Sequence, residues 1–445
     1  MRLSTSLRSL RSVVASATPA RGFSSLAPTA AGGFPGPTAG LSPGTQQYMD
    51  RLGPEESVPI RWPRPEAYAG GVAALRGRVP VAPANPAADQ LQGRLCYAVR
   101  KPAVAAESDG DHRLVFIHCT GFHKESMIPL ARHLAAQDPR QTIGQPDFRH
   151  LGQALSTPGV FLMPELPGPE PALAEHPAAD VSPWRHMLVD LRNHGSSAVL
   201  NRALLEAPVA DLPTAWPSRG PNRLIPEPSR VADFVDSWAV HALDVIDLLE
   251  ADRRQNPGAG KTVLVGHSFG GFVSMVIDYL RPDLVDGLVC IEPILVPDLA
   301  APRLGLDDAQ VAKLAPTSQA LVNGDLGRIV RGLSYGGLEE VAIRRRTDFE
   351  SPDATMEYFQ GKALFREFDA DTTRLFATHG TCPIAEGPTS SAISGPDAGM
   401  GVTLKCGKTS ESSTYHGVHS GIELFPHVKG LTRPMMMLFS TGSNI

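Results

Sequence analysis

The stretch KTVLVGHSFGGF, residues 261–272, decides how the rest of the chain is read. A short apolar run, Thr262–Val265, meets Gly266, and after Ser268 come Gly270, Gly271 and an apolar series with helical spacing. A run of that kind bounded by glycine reads as a buried strand, and the change of period marks the start of a helix. A G-x-S-x-G at such a junction is a nucleophile elbow: the bend forces the serine into a strained backbone conformation and lifts its hydroxyl clear of the sheet. Gly266 and Gly270 are required because strand and helix approach too closely for side chains. The helix N-terminus adds partial positive charge beside Ser268, and the Phe269 amide is a first candidate donor to an oxyanion.

Outward from the elbow the chain alternates strands and helices. RLCYAVRK (94–101) reads as a strand, and the turn-like AAESDGDH (105–112) joins it as a hairpin to the apolar strand RLVFIHCTG (113–121). MIPLARHLAAQ (127–137) has helical spacing, and HMLVDLRNHGSS (186–197) reads as strand then loop. Ser229 caps an amphipathic helix through Val231, Phe234, Val235, Trp238, Ala242, Val245, Ile246 and Leu249, with His241 at its boundary. VDGLVCIEPI (285–294) and RPMMMLFSTG (433–442) are two further strands. Apolar strands separated by helices predict a mostly parallel, doubly wound α/β sheet covered on both faces. The expected organisation is a Pro/Gly/Ala-rich linker or irregular arm over 26–90 and a core over 91–297 with insertions near 138–183 and 199–228. A helical cap over 298–430 and a penultimate core strand within 431–445 complete it.

Composition excludes several classes. With 445 residues and a net charge of −5, the chain has no electrostatic footprint for nucleic acid. It contains no apolar run of about 18 residues, so no membrane span is predicted. Five cysteines, none in a CxxC pair, suggest neither a disulfide framework nor a metal site, and fit a reducing compartment. Residues 1–25 carry Arg2, Arg8, Arg11 and Arg21, many serines and no acid, with Leu3, Leu7, Leu10 and Val14 on one helical face. That is the composition of a transit peptide, with a mitochondrial address expected and a plastid one as the alternative.

The loop after RLVFIHCTG supplies the second expected oxyanion donor, the amide of Phe122. His118 is read as orienting that loop through hydrogen bonds, and Cys119 as a small packing residue. HCTGFHKE (118–125), DLRNHGSS (190–197) and GHSFGG (266–271) stand in the order and spacing of the α/β-hydrolase superfamily, and the chain resembles its serine esterases over roughly 91–442. HCTGFHKE, IEPI, IRRRTDF and VTLKC are also similar to a branch with fungal toxin-biosynthesis hydrolases. The resemblance implies an α/β-hydrolase fold and an acyl-enzyme on Ser268 formed from a small-molecule ester, thioester or amide. It implies no metal and no organic cofactor, and leaves the oligomeric state open. Asp190, Arg192 and His194 then form a structural loop bordering the pocket, and Arg344, Arg345 and Arg346 either grip an acidic substrate, form a solvated helical face or pair with nearby acids.

In that fold the acid and the histidine follow the serine in the chain. Glu292, at the end of the sixth strand, is the candidate acid, with Asp298 close behind. If RPMMMLFSTG is the seventh strand, an eighth strand, a histidine loop and a last helix, about 30–50 residues, are missing from the pattern. His416, His419 and His427 are the remaining candidates for the base. The expectation is a truncated chain, with a degenerate binding or scaffold protein as the alternative.

Overall fold

The computed structural model describes residues 40–61, 72, 75–76, 92–101, 112–136, 184–206, 238–258, 260–295, 338–366, 368–387, 401–416 and 424–438. The expected transit peptide, the insertion at 138–183, most of that at 199–228, the Ser229 cap and the first part of the cap region lie outside these residues, as do Asp298 and His419.

One sheet organises the fold. Its strands are β1 (Glu56–Arg61), β2 (Gln92–Arg100), β3 (Arg113–Ile117), β4 (Arg185–Val189), β5 (Thr262–His267), β6 (Gly287–Ile291) and β10 (Met435–Leu438), in the order β1-β2-β4-β3-β5-β6-β10. The strands from β4 to β10 pair in parallel, while β1 and β2 join antiparallel at one side. Alternate side chains feed two cores. Val115, Ile117, Met187, Val189, Leu264 and Leu288 point to one, and Phe116, Leu188 and Val265 to the other. A sheet wetted on neither face needs apolar residues at consecutive positions, which is why these strands read as continuous hydrophobic runs.

Helices α5 (Ala239–Gln255) and α6 (Phe269–Leu280) close the first core. On the opposite face, α1 (Pro43–Met49) and α2 (Ile128–Ala136) close the second. Helices α3 (Gly195–Leu200) and α4 (Arg202–Glu206) continue directly from the loop after β4, at the start of the expected second insertion.

Three expectations are corrected. The arm over 26–90 contains α1 and β1: Val58 and Ile60 point inward while Pro59 sits in an edge strand, where a missing N–H is tolerated. The predicted hairpin of residues 94–121 does not form. β2 pairs instead with β1 and β4, so β3 lies beyond β4 in the sheet. The cap is not purely helical. Besides α7 (Leu338–Arg344), α8 (Pro352–Gln360), α9 (Ala363–Arg366), α10 (Ala370–His379) and α11 (Lys408–His416), it holds an antiparallel sheet of β7 (Asp348–Phe349), β9 (Val402–Leu404) and β8 (Thr381–Pro383). Among the described residues, no helix is long and apolar enough to cross a membrane.

Candidate active site

Ser268 stands between the end of β5 and the first turn of α6 with φ 53° and ψ −113°. It shares positive φ with only one other non-glycine among the described residues, Glu292 at φ 46°, at the end of the neighbouring strand β6. Backbone strain of this kind persists only where surrounding contacts impose it. Here the Ser268 amide donates to the Ile291 carbonyl (2.7 Å), and the Glu292 amide to the Leu438 carbonyl (2.7 Å). A Cβ on Gly266 would overlap the Gly270 backbone, and one on Gly270 would overlap the Ile117 carbonyl. The strand therefore meets the helix at backbone contact. Phe269, the first residue of α6, offers one of the helix's uncommitted N–H groups at this bend.

The turn after β3 faces the elbow across the adjoining strand. The Phe122 amide donates to the Cys119 carbonyl (3.3 Å), with Gly121 at φ 80°, the positive φ that the third position of a type II turn demands. That bond occupies the amide expected as the second oxyanion donor. The Phe122 ring instead docks the cap, stacked 5.8 Å from Phe365 and packed on Phe368 and Phe376. The Thr120 amide has no acceptor among the described residues. Its peptide plane is pinned from the other side, since the Cys119 carbonyl also accepts from Nδ1 of His118 (2.8 Å). In a planar trans peptide N–H and C=O point opposite ways, so the Thr120 N–H is turned away from those two bonds.

The loop after β4 holds this turn. Buried Asp190 accepts from the Lys124 amide (2.7 Å), the Lys124 ammonium (2.8 Å) and the Ser196 amide (2.9 Å). Arg192 forms a two-pronged pair with Asp244 of α5, both bonds 2.6 Å. His118 has no exposed surface, and burial pushes its pKa down to about 4, opposed by the Asp190 carboxylate. His241, expected at a helix boundary, is fully buried against Phe269 with a ring separation of 5.0 Å, and among the described residues neither ring nitrogen has a hydrogen-bond partner.

Helix α11 roofs the turn. Asn193 Nδ2 donates to the Ser410 carbonyl (3.2 Å) and Thr414 Oγ1 (3.1 Å), and Trp238 Nε1 donates to the Thr414 carbonyl (2.6 Å). Glu411 abuts Gly121 and pairs with Arg345; burial raises its pKa and Arg345 opposes the rise. Of the arginine run, Arg345 is thus inside the structure, while Arg346 lies half exposed against Glu350 and over the Phe349 ring. A small cavity of about 10 Å³ lies between the turn and the cap, lined by Gly121, Phe122, His123, Arg345, Phe376 and Cys406 among others. Ser268 is not part of its wall.

The structure thus brings Ser268, Phe269, Gly266, Gly270, the oxyanion turn and Glu292 to one end of the sheet. The Glu292 charge acts on His267, raising a pKa that burial lowers. Among the described residues, no histidine is hydrogen-bonded to Ser268 Oγ. His427 is corrected as a base candidate: it packs on Tyr279 (5.2 Å), near the far end of α6, roughly 16 Å from the elbow at the helical rise per residue. His416 ends α11, and its side chain lies outside the described residues. Spacing gave no warning of the free Thr120 N–H, which follows from peptide orientation.

Residues 114–398 match the alpha/beta hydrolase family, well over half of the chain. The chain belongs to this family. No curated protein sequence matches it. Among solved structures, this alpha/beta hydrolase is similar to the peroxisomal alpha-beta-hydrolase Lpx1 of Saccharomyces cerevisiae, at 16% identity and TM-score 0.48, over 89% of this chain and 76% of that one. It is also similar to a thioesterase domain from the curacin biosynthetic pathway (11%, TM-score 0.38, 87% and 83% covered). A third similar structure is an alpha/beta hydrolase from Novosphingobium aromaticivorans (9%, TM-score 0.35, 78% and 86% covered).

Proposed function

We propose that the protein is a serine hydrolase that cleaves a small-molecule ester, thioester or amide through an acyl-enzyme on Ser268. Family membership supports hydrolase activity in general. The observation that carries the finer reading is the strained Ser268 backbone at the head of α6, which sets its hydroxyl beside helix N–H groups. Ser268 Oγ gives its proton to a general base and bonds to the acyl carbon, whose oxygen takes the negative charge facing the Phe269 and Thr120 amides; the alcohol, thiol or amine leaves carrying that proton, and water then hydrolyses the acyl–Ser268 ester. Glu292, on the neighbouring strand end, is the proposed acid that orients the base. Organelle delivery through residues 1–25 is part of the same proposal.

A fluorophosphonate probe tests it. Labelling of the wild-type chain that is lost in Ser268→Ala supports the reading. A folded wild-type protein that resists the probe favours the alternative, a family member that keeps the pocket for binding or as a scaffold.

A further inference from the structure

Two histidines tie the oxyanion turn to the loop after β4, one in each direction. The Leu191 amide, on the loop, donates to Nε2 of His118 at the start of the turn (3.1 Å). The Gly121 amide, on the turn, donates to Nε2 of His194 on the loop (2.9 Å). An accepting Nε2 carries no proton, so each neutral ring holds its proton on Nδ1. The partners agree. His118 Nδ1–H donates to the Cys119 carbonyl (2.8 Å) and His194 Nδ1–H to Asn193 Oδ1 (2.7 Å). Asn193 is itself oriented by donating its Nδ2 to α11. The two rings are fully buried with centroids 5.1 Å apart.

Each ring fixes a different peptide plane of the same turn. His118 holds the 119–120 plane by its carbonyl, and His194 holds the 120–121 plane by its N–H. Between them they set the direction of the Thr120 N–H.

We propose that His118 and His194 are a reciprocal clasp, a pair of positioning residues that aim the oxyanion turn at Ser268 only while both rings are neutral. The catalytic consequence rests on the Ser268 hydrolase reading; the clasp itself does not. A proton on either Nε2 would set N–H against N–H, break one of the two loop-to-loop bonds and bury a cation. Burial resists that event most. Around His118, Asp190 and Glu125 favour protonation and His123 opposes it. Around His194, the groups His118, His241, Arg345 and His123 all oppose it. Of the other charges packed there, Lys124 is paired with Asp190 and Glu125, Asp244 with Arg192, and Glu411 with Arg345. The clasp therefore holds at neutral pH and opens in acid.

The test compares His194→Ala with His194→Gln, whose amide oxygen offers a non-titrating acceptor near the position of Nε2. Hydrolysis of p-nitrophenyl acetate by the full chain is followed between pH 4 and 8, read at an isosbestic wavelength. The alanine variant is expected to lose about ten- to a hundredfold in kcat with little change in KM. The glutamine variant is expected to recover most of it and to keep the wild-type fall in acid, because His118, the more readily protonated ring, is still present. Wild-type kcat in the alanine variant, or a glutamine variant no better than alanine, overturns the proposal. Nitrogen NMR of the 15N-histidine-labelled chain gives a readout free of activity. Both rings should be Nδ1–H tautomers at pH 7, and an Nε2–H tautomer on either overturns the clasp. Correct tautomers with an inert Ser268 support the clasp and sink the hydrolase reading instead.

Discussion

At the scale of single residues, the proposed oxyanion donors are peptide N–H groups, so side-chain substitution alone does not probe them. Thr120 permits a cleaner experiment. It occupies the second position of the Cys119–Phe122 turn, where proline is favoured and the turn's own bond, from Phe122 to Cys119, is untouched. Thr120→Pro removes the N–H while keeping the bend. If that amide stabilises the tetrahedral oxyanion, kcat falls by about 10²–10³ and KM changes little, since loss of one preorganised donor costs roughly 3–4 kcal/mol in the transition state. A variant that folds as wild type by circular dichroism and turns over normally would return the donor role to a neighbouring amide. Ser268 and Gly266 could be read from the pattern GHSFGG because their chemistry depends on local backbone shape. Thr120 could not, because its availability is decided by what the Cys119 carbonyl and the Gly121 amide bond to, and one of those partners, His194, is 73 residues away.

Helix α5 shows how element-level reading succeeds and fails. Its apolar spacing marked a buried face, and Val245, Ile246 and Leu249 are indeed buried. The same spacing put His241 at an edge, because a polar residue on an amphipathic helix is ordinarily near water. Packing against Phe269 and the masking of both faces of the sheet leave it wholly inside, with two unpartnered ring nitrogens. A buried polar group without a partner costs about 1–3 kcal/mol, so His241→Leu, of similar volume, is expected to raise the unfolding free energy by that amount in urea titration. An unchanged or lowered urea midpoint would show that the ring supplies something the static contacts omit. Strand β1 failed for a different reason: six residues interrupted by Pro59 carry too little alternation to stand out within a proline-rich stretch. The misassigned partner of β2 is a third kind of failure. A strand's own pattern says which face is buried, but not which of several non-local neighbours it will pair with. The strands of the cap sheet, two or three residues each, are too short to show any period.

For the molecule as a whole, the buried histidines set the response to acid. Burial lowers the pKa of His118 to about 4 and that of His186 to about 3, and it holds His194 and His241 well below the ordinary imidazole range. Each is neutral when folded and titrates near 6.5 when unfolded. Between those values the unfolded chain binds more protons, so stability rises with pH there. The contribution is complete above about pH 6.5 and is lost as pH falls toward the folded pKa; for His118 it is on the order of 3 kcal/mol. Two buried carboxyls act in the opposite sense. The raised pKa values of Asp278 and Glu411 mean that those groups add stability as pH falls through their folded pKa toward the ordinary carboxylate range. Between pH 7.5 and 5.0 the buried histidines therefore act together to lower stability, on the order of 2 kcal/mol for His118. Urea midpoints should fall steeply over that interval, and the slope should flatten in His241→Leu because one of the titrating groups has gone. Equal midpoints at pH 7.5 and 5.0 would mean that these rings are protonated or solvated in the native state, and the neutral Nε2 acceptors on which the oxyanion turn hangs would go with them.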